Sequence, residues 1–142
     1  MKNLKNKSFF FIIAAIIYSC KPNPQICFHI NNQEIKNCGG SSINELWLQN
    51  DSTVNGYYIE DEITVKWENK KIAPSTLFLN KIPEGYTVNG KRVEKINLMY
   101  NTSYSIINHS VYSSYYKIKI WTNNNGKVYK TSHTDCHKSQ SL

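Results

Sequence analysis

Tyr115-Tyr116-Lys117-Ile118-Lys119-Ile120-Trp121 is the most regular stretch of the chain. In an extended segment Tyr116, Ile118 and Ile120 fall on one face, and Tyr115, Lys117, Lys119 and Trp121 on the other. This two-residue period belongs to a β-strand with one face in the core. The apolar set is expected inside and the mixed aromatic and lysine row on the solvent side of an antiparallel sheet. Thr122-Asn123-Asn124-Asn125-Gly126 then turns the chain, and 127–131 returns as a second strand. The row Tyr115, Lys117, Lys119 and Trp121 is the candidate partner surface, because exposed aromatic anchors commonly carry ~2 kcal/mol or more each at interfaces.

Upstream the same signal recurs in short pieces. Residues 26–30 and 34–38 alternate, as do 45–49 around Leu46, Trp47 and Leu48. In 62–68, Ile63, Val65 and Trp67 share one face, with Thr64 and Lys66 on the other. Strands are also expected at 57–60, 76–79, 96–100 and 103–107. Segments 86–88 and 91–93 flank Asn89-Gly90, the strongest hairpin signal in the chain. No helical spacing runs through the part beyond Cys20. Short strands punctuated by turn residues imply an all-β fold, a small antiparallel β-sandwich or partly open barrel spanning 26–131, followed by a flexible polar tail at 132–142. The stretch from Tyr116 to Gly126 loosely resembles the last strands of immunoglobulin-like and fibronectin type III domains. That resemblance implies an immunoglobulin-like sandwich and carries no function.

The N-terminus has a different character. Lys2, Lys5 and Lys7 precede the apolar run Phe9–Ile17, which is too short for the roughly 20 residues that span a bilayer. Ser19 supplies a small residue before Cys20. Ile17-Tyr18-Ser19-Cys20 resembles the lipobox of bacterial lipoproteins, departing from it in the size of Tyr18. The resemblance implies a signal peptide at 1–19, cleavage before Cys20, acyl chains such as palmitate on Cys20, and a membrane anchor. Residues 20–25, with Pro22 and Pro24, read as an extended spacer. Lys21 after the lipidated cysteine, by the same resemblance, favours the outer membrane facing the periplasm.

Charge narrows the partners. The formal charge is +7, but setting Lys2, Lys5 and Lys7 aside leaves 14 basic against 10 acidic residues, and Arg92 is the one arginine. Nucleic-acid readers cluster their basic residues with arginine prominent. Scattered lysines point instead to solubility, and no nucleic-acid partner is expected.

Cys27, Cys38 and Cys136 remain once Cys20 is set aside. A loop at Asn31-Asn32-Gln33-Glu34 puts Ile30 opposite Ile35 and Cys27 opposite Cys38, within reach of a disulfide. The rival joins Cys136 to Cys27 or to Cys38. Cys27-x-His29 and His133-x-x-Cys136-His137 also carry zinc-type ligands. They are far apart in the chain and lack a Cys-x-x-Cys pair, so a disulfide with solvent-exposed tail histidines is expected, and no metal or cofactor.

No nucleophile elbow, phosphate-cradling glycine loop or His-Glu-x-x-His is present in the sequence. Glu60-Asp61-Glu62 reads as a solvated loop, and no catalytic residue is assigned. The 10 tyrosines and 3 tryptophans suit sheet packing or a binding surface. Three readings follow. The first is a non-enzymatic envelope lipoprotein that binds a protein partner, as an immunity or accessory protein would. The second is a carbohydrate- or ligand-binding lipoprotein. The third is a small hydrolase whose site is not legible.

Overall fold

Ile118 and Ile120 are buried and Tyr115 and Lys117 exposed, so the alternation that organised the sequence also orients the fold. The structure is a computed structural model that describes residues 24–54, 57–58, 61–109 and 115–136. All its regular elements are strands: β1 (Ile26–His29), β2 (Glu34–Asn37), β3 (Glu45–Asn50), β4 (Thr53–Val54), β5 (Tyr57–Tyr58), β6 (Glu62–Trp67), β7 (Thr76–Phe78), β8 (Tyr86–Val88), β9 (Ser103–His109), β10 (Tyr115–Thr122) and β11 (Val128–Thr131). Three form one sheet in the order β1-β2-β7, and six form another in the order β11-β10-β9-β3-β6-β8. A β4-β5 ribbon stands apart from both. Every pairing is antiparallel. This is a small open β-sandwich, not a closed barrel.

The sandwich follows from what each sheet must cover. Ile26, Phe28, Ile35 and Leu77 of the small sheet join Leu46, Leu48, Val65, Ile106, Ile118 and Ile120 of the large one in a single cluster, each at most 1% exposed. Burying a side chain of this size stabilises by ~1.5–3 kcal/mol. Two tyrosines belong to the same core. Tyr86 Oη donates to the Ile43 carbonyl at 2.7 Å. Tyr104 Oη lies 3.3 Å from the Asp61 carboxylate and accepts the Met99 N–H at 3.0 Å. Burial pushes both phenols above their ordinary range.

One polar side chain ties the sheets together. Gln33 ends the β1–β2 turn in the left-handed region, at φ 53°. Its Nε2 donates to the Ile30 and Val128 carbonyls at 2.6 and 2.9 Å, and its Oε1 accepts the Val128 N–H at 2.9 Å. The side chain therefore pairs with the β11 backbone as a neighbouring strand would, and leaves no buried amide of Val128 unsatisfied.

That turn also corrects the expected register. The loop occupies Ile30–Gln33, closed by the Gln33 N–H on the Ile30 carbonyl at 3.2 Å, so His29 faces Glu34 and Cys27 faces Lys36. Moving a loop by one residue moves every partner by two, and Cys27 no longer opposes Cys38. The disulfide joins Cys38 to Cys136 instead, with Cα atoms 5.0 Å apart across 98 positions, and leaves Cys27 a buried thiol.

Two expected strands are absent among the described residues. Asn89 and Gly90 both take positive φ, 49° and 73°, as a two-residue hairpin turn requires, and Val88 and Lys91 exchange backbone hydrogen bonds. Pairing stops at that bridge. Residues 96–100 form a link rather than a strand, docked where the Ile96 N–H reaches the Leu79 carbonyl at 2.8 Å. The C-terminal segment is docked further than expected. Ser132 N–H donates to Lys119 at 2.8 Å, and the His133 carbonyl accepts from Phe28 at 2.9 Å, covering the open edge of β1. Residues 137–142 and the N-terminal signal, with Cys20, lie outside the described residues.

Candidate functional site

Tyr115, Lys117, Lys119 and Trp121 all project from the outward face of the six-stranded sheet. Tyr115 is 67% exposed, Lys117 is exposed, and Lys119 and Trp121 are half-buried. Trp121 is held by charge. Lys119 Nζ lies 5.6 Å and Lys130 Nζ 4.7 Å from its ring centroid, the second arriving from β11 because Lys130 is its cross-strand partner. Each contact of this kind contributes ~0.5–1 kcal/mol at an exposed site.

Lys119 is itself held, 3.2 Å from Asp51 Oδ2. Asp51 Oδ1 accepts the Ser105 hydroxyl at 2.7 Å. Oδ2 is shut off from solvent and makes no aligned hydrogen bond among the described residues, so the Lys119 ammonium is what offsets its charge.

The face extends beyond the row read from the sequence. Trp47 of β3 packs on His109 of β9 with ring centroids 4.2 Å apart, and Tyr115 lies directly across from His109. Half-buried Ile107 sits between Trp47 and Lys117 in the ladder. The alternation of Glu45-Leu46-Trp47-Leu48-Gln49 already places Trp47 outward. What the sequence does not carry is that β3 pairs with β9, which brings Trp47 and Tyr115 onto one surface.

Beside Trp121 the sheet end opens into a groove of about 580 Å³, lined by Trp121 and Tyr129 together with Ser52, Asn101, Thr102 and Asn123. Among the described residues, none that lines it is charged. Amides, hydroxyls and two aromatic rings suit a neutral, hydroxyl-rich ligand. The acidic triplet does not converge here. Asp61 takes the Tyr104 hydroxyl and Glu62 takes Gln49 Nε2 at 3.0 Å, while Glu60 lies outside the described residues.

The cysteines form a second locus. The Sγ atoms of Cys27, Cys38 and Cys136 lie within 4.8 Å of one another. Cys27 Sγ is 2.8 Å from Cys136 Sγ and 3.6 Å from His29 Nε2. His29 Nδ1 in turn faces Glu34 Oε2 at 3.5 Å. Three thiolates and an imidazole are ligands for a soft metal, but the Cys38–Cys136 bond removes two of those thiolates. His133, expected in solvent, is half-buried and packs edge-on to Tyr116 at 5.7 Å. Among the described residues no helix is long and apolar enough to cross a membrane.

No family model, no curated protein and no solved structure matches this chain.

Proposed function

We propose that the chain is an exported bacterial lipoprotein whose non-enzymatic β-sandwich binds a protein partner in the cell envelope. Its basic start, the apolar run Phe9–Ile17 and the Ser19-Cys20 step support an anchor on Cys20, and Lys21 after it favours the outer membrane facing the periplasm. The observation that carries the binding role is the outward face of β10. Trp121 is fixed between two ammonium groups, with Tyr115 exposed beside it. A pre-positioned indole loses little rotamer freedom on binding, which is how interface anchors gain their energy. A toxin neutralised by this chain, or an envelope complex to which it is an accessory, would both present such a partner.

The test has two parts. Cells fed labelled fatty acid should label the protein, and Cys20→Ala should abolish the label and its membrane retention; a soluble, unlabelled wild type ends the anchor reading. Pull-down from native membranes should return a stoichiometric protein that Trp121→Ala fails to hold.

The groove favours a second reading, a carbohydrate- or small-ligand-binding lipoprotein, because its lining is neutral and polar around Trp121 and Tyr129. Glycan-array binding lost in Tyr129→Ala, with no protein partner recovered, selects it.

A further inference from the structure

The sequence leaves an odd number of cysteines beyond Cys20, and the fold does not put the spare one out of reach. Cys27 faces outward from β1, where it would meet water, but the segment from Ser132 to Cys136 crosses that edge and covers it, leaving it 0% exposed. The covering segment brings Cys136, so the free thiol lies 2.8 Å from one sulfur of the disulfide. Cys38 and Cys136 are half-buried.

His29 completes the arrangement. With its Nδ1 turned to Glu34, its Nε2 is left to accept from the Cys27 thiol, 3.6 Å away. This is the order of groups that activates a thiol: a carboxylate orients an imidazole, and the imidazole takes the proton.

We propose that Cys27, Cys38 and Cys136 are a thiol–disulfide exchange site, in which Cys136 passes its bond between Cys38 and Cys27 and thereby delivers a reactive thiol at Cys38 to small disulfides. Cys27 gives its proton to His29 Nε2, and the thiolate attacks Cys136 Sγ. The Cys27–Cys136 bond forms as the Cys136–Cys38 bond breaks, and Cys38 leaves as thiolate, recovering the proton at equilibrium. No oxidant or reductant is consumed. The released Cys38 thiolate then attacks an external disulfide, forming a mixed disulfide and expelling one thiolate of that molecule.

The exchange moves the free thiol from a fully covered position to a half-buried one. Cys38 ends the hairpin and is followed by exposed Gly39 and Gly40. Burial pushes the Cys27 thiol up, Lys36 pulls it down, and Asp135 and Glu34 raise it again. Cys27 therefore rests protonated until His29 takes its proton, so the site is slow at neutral pH and faster in mild alkali.

The experiment uses the full chain carrying Cys20→Ser, which limits the thiols to these three, equilibrated in a glutathione redox buffer. Peptide mapping without reduction should recover both Cys38–Cys136 and Cys27–Cys136, within about tenfold of each other. Adding Cys38→Ser should leave Cys136 bonded, now to Cys27, whereas Cys27→Ser should leave the Cys38 bond alone. Oxidised glutathione should then cap Cys38 in the parent chain and nothing in the Cys27→Ser chain. Finding only Cys38–Cys136, with Cys136 a free thiol after Cys38→Ser, overturns the exchange. A glutathione cap on Cys27, or no cap on the parent chain, overturns the delivery to Cys38.

Discussion

The cysteine locus and the outward face of β10 handle exposed chemistry in opposite ways. At the first, a segment of the chain folds back over β1, pairs with its backbone and closes with a covalent bond, so Cys27 and Phe28 reach 0% exposure. At the second, nothing among the described residues covers Tyr115, and Trp121 is steadied by lysine ammonium groups rather than buried under another element. Closure of the first kind stabilises the fold. The second leaves aromatic area oriented yet available, at little cost to stability. The contrast teaches where to expect each effect: mutations at the cysteine locus should register in unfolding, and mutations on the outward face in binding.

The largest expected effect is at the tether. Cys136→Ser removes a bond that closes a 98-residue separation. It removes the shared sulfur as well, so Cys27 cannot substitute. The loss in unfolding free energy should be about 4.7 kcal/mol on the chain-entropy account. Urea unfolding under oxidising conditions checks it, and the partner should still bind the folded fraction. A variant as stable as wild type would show that the segment docks without its disulfide, and the contrast between the two regions would weaken.

Gln33 tests closure without sulfur. Gln33→Ala leaves the Val128 N–H and carbonyl without the partners they have at 2.9 Å. Stranding buried backbone groups costs ~1–3 kcal/mol, so a loss of about 2 kcal/mol is expected. Hydrogen exchange at the Val128 amide should accelerate along with it. An unchanged exchange rate would mean β11 is held by β10 alone.

Much of this was legible beforehand, and what was not has physical causes. The alternation at 115–121 and 62–68 gave strand positions and inward faces, because period two has one meaning when half the residues are apolar. Asn89-Gly90 gave its turn because two successive positive φ angles favour those residues. The extent of pairing after that turn was not legible: Arg92 and Val93 have strand-like composition but no neighbouring strand to bond. The β1–β2 register was missed by one loop residue because Gln33, which does not advertise a left-handed conformation, takes one to reach Val128. That slip decided the disulfide. The outward face was readable one strand at a time, but Trp47 and Tyr115 share one surface only through the order β10-β9-β3, which no local pattern encodes.

Alkali separates the buried phenols from the surface. Tyr86 and Tyr104 have their pKa raised by burial above the ordinary value of 10.0. A raised acid favours the folded state while both states are protonated, and that advantage disappears as pH climbs from the unfolded value through the folded one. Stability should therefore be level with respect to these groups below about pH 9 and fall above pH 10, by about 1 kcal/mol for Tyr86 over the first unit. Tyr86→Phe should flatten part of the decline while costing about 1 kcal/mol at neutral pH through the lost bond to Ile43. A decline unaltered in that variant would assign the alkaline transition to other groups.

The smallest stability effects should come from the outward face, with the largest effects on binding. Tyr115→Ala, at a position 67% exposed, should change unfolding free energy by no more than about 0.5 kcal/mol. Trp121→Ala should cost more, about 1 kcal/mol, because it removes half-buried area and the two ammonium contacts. If the face is the interface, each variant should weaken the partner by tenfold or more, since an anchoring aromatic carries ~2 kcal/mol when a partner finally covers it. The two effects are independent because folding leaves these rings partly wet and binding supplies the missing cover. Isothermal titration of the recovered partner against both variants, with urea unfolding of the same samples, reads them side by side. A Trp121→Ala loss of ~3–5 kcal/mol, the range of a core aromatic, would mean the indole is a packing residue. The groove beside it, and not the row from Tyr115 to Trp121, would then be the place to look for recognition.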